Sequence, residues 1–291
     1  MAGFKLSQYA LGSSEPLRTV KGPNFYGISI ALDPLGNLSV LFGNGSGGEI
    51  LVYRARNLER EYEIFSAPGF GSIAADSKGN IYDVYGGPGI AVYAPGGKYP
   101  LYKIRRNARA PFAVAFDPSG DLYSDGVERV SVFSPTGSDG RMKWVRSFRN
   151  GVEDSYTLAF GPTGELYVAN SSRWPSVRVY APGASEPSLT ITEGIEAPVK
   201  LVLDSKGRLY VACRPLLHPG WVSVYASGGA QPIRKIKDGV DYPSDLAIDP
   251  SDNLYVANAG SVTVYGPGGA PLLRTITKGI KGAASLLIGG P

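Results

Sequence analysis

Cysteine and histidine are scarce in this chain of 291 residues, which has one of each, Cys213 and His218. A single cysteine excludes an intramolecular disulfide framework, so the redox compartment cannot be read from it. A single histidine excludes a metal site built from several imidazoles. No apolar segment reaches the length of a membrane span, and helical periodicity is missing over any useful length. These absences leave an all-β chain as the expectation.

Glycine and proline are abundant instead, with 39 and 23 residues. They indicate many tight turns rather than low complexity. Apolar residues make up 43% of the chain, enough for a folded core, and the net charge of +4 describes a mildly basic protein. The N-terminal segment MAGFKLSQYALG lacks the basic and apolar regions of a signal peptide. The protein is therefore expected either in the cytoplasm or as an extracytoplasmic mature form with a new Met, and we favour the second.

Six segments of the chain repeat the pattern apolar-x-apolar-Asp-x-x-Gly-x-Leu-Tyr. In order they read IALDPLGNLSV, IAADSKGNIYD, VAFDPSGDLYS, LAFGPTGELYV, LVLDSKGRLYV and LAIDPSDNLYV. Their anchor positions lie 41 to 45 residues apart, at Asp33, Asp76, Asp117, Gly161, Asp204 and Asp249. A seventh copy begins at SLLIGG, with Gly289 at the anchor position. A fixed period of this length is typical of repeat architectures.

Each unit predicts four short strands, labelled a to d. Strand a ends at the anchor, a turn leads to strand b (NLYVAN), a variable loop to strand c (SVTVY), and an APGG turn to strand d (PLLRTI). Four strands in about 40 residues are typical of a β-propeller blade. N-terminal LSQYALGSSEPLRTV matches strands c and d, and C-terminal GIKGAASLLIGG matches strand a. We therefore predict one domain, 1–291, with seven blades and a closing blade split between the N- and C-termini. Six blades with extra terminal strands is the alternative.

The units resemble NHL-type repeats, and more narrowly the bacterial YVAN…VYAPG propellers, over nearly the whole chain. The resemblance implies the fold and leaves function open, since this architecture serves enzymes and binding modules alike. The gluconolactonase-like propellers hold a divalent metal with Asn and Asp side chains in front of strand a. Tyr156 and Ser244 stand at those positions here, and Asp245 is displaced by one residue, so no metal or other cofactor is expected. The lyase propellers depend on several histidines, which this chain lacks.

The residues that lead into strand a are candidates for a ligand site, because this end of the strand faces the central channel of a propeller. Most are small and neutral, whereas Lys200 and Asp245, on neighbouring blades, form a predicted charged pair. The pair is either part of a ligand site or a structural salt bridge. The full set is Ser29, Ser72, Ala113, Thr157, Lys200, Asp245 and Ser285.

The loops between strands b and c supply the other candidates. Unit four has NSSRWPS and unit five has CRPLLHPGW, so two neighbouring blades each offer an arginine and a tryptophan. Aromatic faces stack on sugar rings, and guanidinium groups bind carboxylates or phosphates. Packing of each tryptophan on top of its blade is the alternative. The candidate residues at the end of strand b and in these loops are Asn170, Arg173, Trp174, Arg214, His218 and Trp221.

Three remaining features have structural interpretations. Cys213 stands where sibling units have Asn170 and Asn258, and we interpret it as a packing residue rather than a nucleophile. Most tyrosines recur at two fixed positions and are predicted to pack between blades. The basic segments YKIRRNAR, RMKWVRSFR and IRKIK fall mainly on strand d, where charge protects an exposed sheet edge from aggregation. A nucleic-acid surface is the alternative for these segments.

The sequence therefore predicts a non-catalytic binding propeller, monomeric and without a membrane span. Its ligand is a small polar or saccharide-like molecule, or a protein partner, and nucleic acid is not expected. A lyase or lactone hydrolase with a non-standard site is the first alternative, and an RNA-binding NHL domain is the second. The predicted ligand-binding residues are Asn170, Arg173, Trp174, Lys200, Arg214, His218, Trp221 and Asp245.

Overall fold

A computed structural model of the protein describes residues 5–21, 26–43, 48–66, 71–84, 89–108, 110–126, 128–135, 139–280, 282 and 285–288, without the side chains of 26–28. Within these ranges all regular structure is β-strand, in six four-stranded sheets and one two-stranded sheet. Each four-stranded sheet is one blade, with its strands in chain order from a to d. The same ranges contain no helix that is long and apolar enough to cross a membrane.

The chain divides into two compact units, and the unit Phe25–Leu158 contains blades one to three. Blade one is β3 (Tyr26–Leu32), β4 (Asn37–Gly43), β5 (Gly48–Arg54) and β6 (Arg60–Ser66). Blade two is β7 (Ile73–Ala75), β8 (Ile81–Val84), β9 (Ile90–Tyr93) and β10 (Tyr102–Ile104). Blade three is β11 (Val114–Phe116), β12 (Leu122–Gly126), β13 (Arg129–Pro135) and β14 (Met142–Phe148).

The other unit joins Met1–Asn24 to Ala159–Pro291. It holds the two-stranded sheet of β1 (Lys5–Tyr9) and β2 (Pro16–Lys21). Blade four is β15 (Ser155–Phe160), whose first residues belong to the preceding unit, with β16 (Leu166–Asn170), β17 (Ser176–Tyr180) and β18 (Leu189–Ile191). Blade five is β19 (Pro198–Leu203), β20 (Leu209–Cys213), β21 (Trp221–Tyr225) and β22 (Pro232–Ile236). Blade six is β23 (Asp245–Ile248), β24 (Leu254–Ala257), β25 (Val262–Tyr265) and β26 (Leu272–Ile276).

The anchor aspartate of the repeat holds the turn between strands a and b. Oδ1 of Asp33 accepts the N–H groups of Leu35 (2.9 Å) and Asn37 (2.8 Å), and Oδ2 accepts the side-chain amide of Asn37 (2.9 Å). Gly36 completes the turn at φ 82°, a left-handed conformation that glycine adopts without steric cost. The same two backbone N–H bonds recur at Asp76, Asp117, Asp204 and Asp249. The sequence repeat therefore corresponds to a turn between strands a and b that an aspartate side chain caps in five of the blades.

The repeated tyrosines fill the contacts between neighbouring blades, as predicted. Tyr225 of strand c lies in one core cluster with Val177 and Ile191 of blade four, and its hydroxyl donates to the Glu193 carbonyl at 2.6 Å. Tyr210 of strand b lies in the cluster that blade five shares with blade six. Burying a large side chain of this kind contributes roughly 1.5–3 kcal/mol. The tyrosine positions of strands b and c therefore supply packing between neighbouring blades.

The N-terminal hairpin β1–β2 takes the place of strands c and d beside blade six, as predicted from LSQYALGSSEPLRTV. Ser7 Oγ donates to the Gly279 carbonyl at 3.1 Å, and the Tyr9 hydroxyl donates to the Lys278 carbonyl. Blade six anchors its own strand c with the same two bonds. The hairpin is therefore part of the repeat rather than an unrelated extension.

The described residues form six four-stranded blades, which confirms the stated alternative rather than seven blades with a closing blade that is split and lacks a clear strand b. Residues 285–288, the predicted strand a of a closing blade, form no strand, and no segment of the described residues supplies its strand b. Without strand b, the backbone groups of residues 285–288 have no ladder partner among the described residues, and the adjoining sheet consists of β1 and β2. Gly289, the predicted seventh anchor, lies outside the described residues. The assignment of residues 1–291 to one domain stays a prediction.

Candidate functional site

Asp245 leads strand a of blade six, and its buried carboxylate has four partners. Oδ1 lies 2.9 Å from Nζ of Lys200 and accepts the N–H of Leu246 at 2.9 Å. Oδ2 accepts the hydroxyl of Ser285 at 2.9 Å and the N–H of Leu286 at 2.7 Å. These partners occupy both oxygens, and the half-buried Lys200 balances the charge. The charged pair expected from the sequence is therefore present, with a carboxylate whose hydrogen-bonding capacity is in use.

In other blades, a neutral residue at the position of Asp245 bonds to the first strand of the following blade. The Ser29 hydroxyl oxygen accepts the N–H of Ile73 at 3.2 Å, and the Ser72 hydroxyl oxygen accepts the N–H of Val114 at 3.1 Å. In each case the residue leading strand a holds the inner strand of the next blade. Asp245 does the same for segment 285–288. Sequence reasoning missed this role, although the small polar residues that recur at this position were the signal. The link supports the interpretation of the Lys200–Asp245 pair as a structural salt bridge.

Trp221 and Asn170, two of the predicted ligand-binding residues, are buried. Nε1 of Trp221 donates to the Gly194 carbonyl at 3.1 Å, and Nζ of Lys235 lies 3.5 Å from the centre of an indole ring. The side-chain amide of Asn170 lies 3.3 Å from the hydroxyl of Ser176. Trp221 therefore follows the packing alternative, because its indole lies within the core cluster of blades four and five.

Cys213 ends strand b of blade five and is buried in the same core cluster. Its thiol lies 3.6 Å from the Gly194 carbonyl. Burial is the main cause that raises the pKa of the thiol, to about 11. Because the thiolate is the nucleophilic form, this environment keeps Cys213 unreactive at neutral pH. The geometry agrees with a packing residue, and His218 is exposed on the loop that follows.

The remaining predicted residues lie on the b–c loops of blades four and five, and all are exposed. The guanidinium carbon of Arg173 lies 5.7 Å from the centre of the Trp174 ring, and the Trp174 side chain is 74% exposed. The neighbouring loop adds two leucines that the sequence analysis did not single out, with Leu216 95% and Leu217 88% exposed. We call this set the loop surface; it comprises Arg173, Trp174, Arg214, Leu216, Leu217 and His218.

The loop of blade five is held at both ends. The N–H of Arg214 donates to the Ala197 carbonyl at 3.1 Å, and the Pro219 carbonyl accepts the N–H of Tyr242 at 2.5 Å. Tyr242 adopts a left-handed φ of 47° and is itself partly exposed. Anchored ends reduce the conformational entropy that a loop loses when it binds. Since blades four and five share one core cluster, the two loops emerge from packed neighbours.

Comparison with known proteins gives the fold and no activity. No family model matches the chain, and no curated protein matches it. The crystal structure of a protein from Lactobacillus plantarum is similar, with a TM-score of 0.73 and 17% sequence identity over 89% of this chain and 86% of that chain. The fold is a β-propeller. This similarity shows the fold alone, and the NHL-type assignment stays a prediction.

Two buried carboxyls of the propeller were missed by the sequence analysis. Asp83 and Asp125 each have one oxygen without a hydrogen-bond partner among the described residues. Burial raises the pKa of Asp83 to about 6 and the pKa of Asp125 to about 7. Their signal was an acid within a strand b that is apolar in sibling units, IYDV and LYSDG against LYVAN. In the described part of the propeller, no three His, Cys, Asp or Glu residues are grouped to hold a metal ion.

Proposed function

We propose that the protein is a binding propeller whose loop surface docks a protein partner. The observation that carries the proposal is the exposure of Leu216 and Leu217, at 95% and 88%, on a loop with anchored ends. Two adjacent leucines in water cost free energy that a covering partner recovers, at about 25 cal/mol per Å² of apolar surface. Exposed apolar clusters of this kind mark interaction sites.

The chemistry around the leucines describes the partner. Arg173 and Arg214 place two guanidinium groups on neighbouring loops, and Trp174 adds an aromatic ring. Tryptophan and arginine dominate the binding energy of many protein interfaces. A segment that presents apolar side chains flanked by carboxylates therefore fits the loop surface. The prediction of a monomer belongs to the same proposal, as does the NHL-type repeat.

An acidic saccharide is the second candidate, and the exposed indole of Trp174 favours it. Indole faces stack on sugar rings, and Arg173 beside the ring binds a carboxylate. The two exposed leucines add little to such a ligand, because they offer no hydrogen bond. The protein partner therefore explains more of the loop surface.

The enzymatic alternative receives less support from the geometry. The Asp245 carboxylate already has four partners, and burial raises the pKa of the Cys213 thiol to about 11. The RNA-binding alternative would rest on three cations near the b–c loops, Arg173, Lys200 and Arg214. Of these, Lys200 is paired with Asp245. The exposed leucines are explained by neither alternative.

Panning a random 12-residue peptide library on the immobilised protein tests the proposal. Selected peptides should combine acidic with apolar residues, and their dissociation constants are then measured by fluorescence polarisation. The double variant Leu216→Ser/Leu217→Ser should weaken binding at least tenfold, since burying each leucine side chain against the partner is expected to contribute more than about 1 kcal/mol. The variants Arg173→Glu and Arg214→Glu should weaken it as well.

Leu35→Ser is the matched control, because Leu35 is also an exposed leucine but lies on a turn of blade one. Its peptide affinity should stay within twofold of the original chain. Equal affinities for all variants would place binding elsewhere and refute the proposal. Binding of the protein to an acidic glycan on an array would instead support the saccharide, if that binding requires Trp174 and is unaffected by the leucine variants.

A further inference from the structure

The outer strands of blades two and three lie in segments that are rich in cations and contain no acidic residue. Blade two contributes residues 98–106 and blade three residues 141–149, four cations each. Outside the described residues, Arg109 would extend the first segment. We call the two segments the basic rim; its cations are Lys98, Lys103, Arg105, Arg106, Arg141, Lys143, Arg146 and Arg149.

Blade one of the same unit has a balanced outer edge. Two of its arginines are paired with glutamates, since Arg54 binds Glu61 and an Nη of Arg60 lies 3.7 Å from Glu63. The acids beside the basic rim are fewer. Asp139 lies 4.0 Å from Arg141, and the buried Asp83 feels the charge of Lys103. Positive charge is therefore concentrated on two blades of this unit rather than spread over its edges.

The two strands of the basic rim are joined at their beginnings. The Met142 N–H donates to the Tyr102 hydroxyl oxygen at 3.2 Å. The guanidinium carbon of Arg141 lies 5.3 Å from the centre of the Tyr102 ring. Leu101 and Lys143 adjoin this contact in sequence. The beginnings of the two segments therefore share one surface, on which Arg141 of blade three lies beside Tyr102 of blade two.

Apolar side chains are exposed within the basic rim. Trp144, Val145 and Leu101 are each about half exposed. A register shift in the β13–β14 pairing matches Phe133 with Trp144 and Val132 with Arg146, so Val145 is an extra residue on β14. A bulge of this kind interrupts the alternation of the strand, and three consecutive residues from Lys143 to Val145 are exposed.

Protection of a sheet edge explains the charges of the basic rim but not its apolar residues. Charged side chains protect an edge, whereas exposed Trp144 and Val145 work against protection. A nucleic acid would use the cations and the indole but gains little from Leu101 and Val145. An acidic bilayer uses all of them, because cations attract anionic headgroups, tryptophan favours the interface and aliphatic side chains enter the acyl boundary. We propose that the basic rim docks on a bilayer of acidic phospholipids.

Sedimentation of the full chain with vesicles tests this inference. Vesicles of phosphatidylcholine with 30% phosphatidylserine should bind the protein at least tenfold more tightly than vesicles of phosphatidylcholine alone. The bound fraction should fall as salt rises from 50 to 300 mM. Lys143→Glu/Arg149→Glu should lower the affinity at least tenfold. Arg234→Glu/Lys237→Glu, on and just after the outer strand of blade five, is the matched control and should keep the affinity within threefold.

Tryptophan fluorescence supplies a second readout. Acidic vesicles should shift the emission of the chain to shorter wavelength, and the shift should vanish in Trp144→Phe but persist in Trp174→Phe. Equal binding to both vesicle types, equal loss in the control variant or a shift that survives Trp144→Phe would overturn the inference. So would binding of polyuridylic acid through the basic rim together with no binding to acidic vesicles. The peptide assay of the loop surface is independent of each of these results.

Discussion

Asp125 gives the sharpest test of the packing between strands of blade three. Its Oδ1 accepts the N–H groups of Phe112 at 2.8 Å and Ala113 at 2.6 Å, while Oδ2 has no hydrogen-bond partner among the described residues. Burial is the largest cause of its raised pKa, which rises from 3.8 to about 7. Asn keeps an oxygen for the two N–H groups and removes the titration. Asp125→Asn is therefore the informative change.

The expected magnitude follows from the pKa. One pKa unit corresponds to about 1.4 kcal/mol, so a shift of roughly 3 units corresponds to about 4 kcal/mol. Because the folded carboxyl holds its proton up to higher pH than the unfolded one, the free energy of unfolding falls as pH rises from about 4 to about 7. Above that pH the penalty is complete. The stability difference between Asp125→Asn and the original chain should therefore grow by about 4 kcal/mol between pH 4 and pH 8, in favour of the variant.

Urea unfolding followed by tryptophan fluorescence at several pH values measures this difference. The neighbouring variant Ser124→Ala removes a buried hydroxyl but no titrating group, so its stability difference should not change with pH. A difference for Asp125→Asn that is constant between pH 4 and pH 8 would refute the reasoning. A difference that changed in favour of the original chain as pH rises would refute it more strongly.

Three further predictions concern the Lys200–Asp245 pair, the Ser72 link between blades and the Cys213 thiol. Lys200→Met leaves a buried carboxylate without its charge partner and should lower the free energy of unfolding by about 1–2 kcal/mol, because solvent also screens the partly exposed ammonium group. In a urea-unfolding double-mutant cycle with Asp245→Asn, a coupling energy below about 0.5 kcal/mol would contradict the pair. Ser72→Ala removes the neutral form of the same link and should cost about 1 kcal/mol, and no measurable loss of stability would dismiss that link. Because burial raises the pKa of Cys213 to about 11, iodoacetamide at pH 8 should alkylate the folded chain at least 100-fold more slowly than the urea-unfolded chain; equal rates by mass spectrometry would show an accessible thiol.

The blades could be predicted from the sequence because the turn chemistry repeats with them. Asp33 and its equivalents cap a turn with bonds confined to five consecutive residues, so the pattern survives in sequence. The number of complete blades could not be predicted in the same way. Segment 285–288 resembles strand a, but whether it becomes a strand depends on a strand b that the described residues do not supply.

The candidate site was predicted less completely, because exposure depends on distant partners. Trp174 and Trp221 look alike in sequence, yet only Trp221 reaches a carbonyl of the preceding blade, that of Gly194. The pairing of Lys200 with Asp245 followed from their equivalent positions on adjacent units. The occupation of both carboxylate oxygens of Asp245 could not be predicted, because two of the donors, Ser285 and Leu286, lie 40 and 41 residues further along the chain.

Hydrogen–deuterium exchange with a selected peptide tests the central claim, that the loop surface is the docking site. The highest-affinity peptide from the library is added to the full chain, and amide protection is mapped by mass spectrometry. We expect new protection in residues 171–175 and 214–219, and none on the turn of blade one that carries Leu35. Protection confined to blades one to three, with residues 214–219 unchanged, would contradict the account.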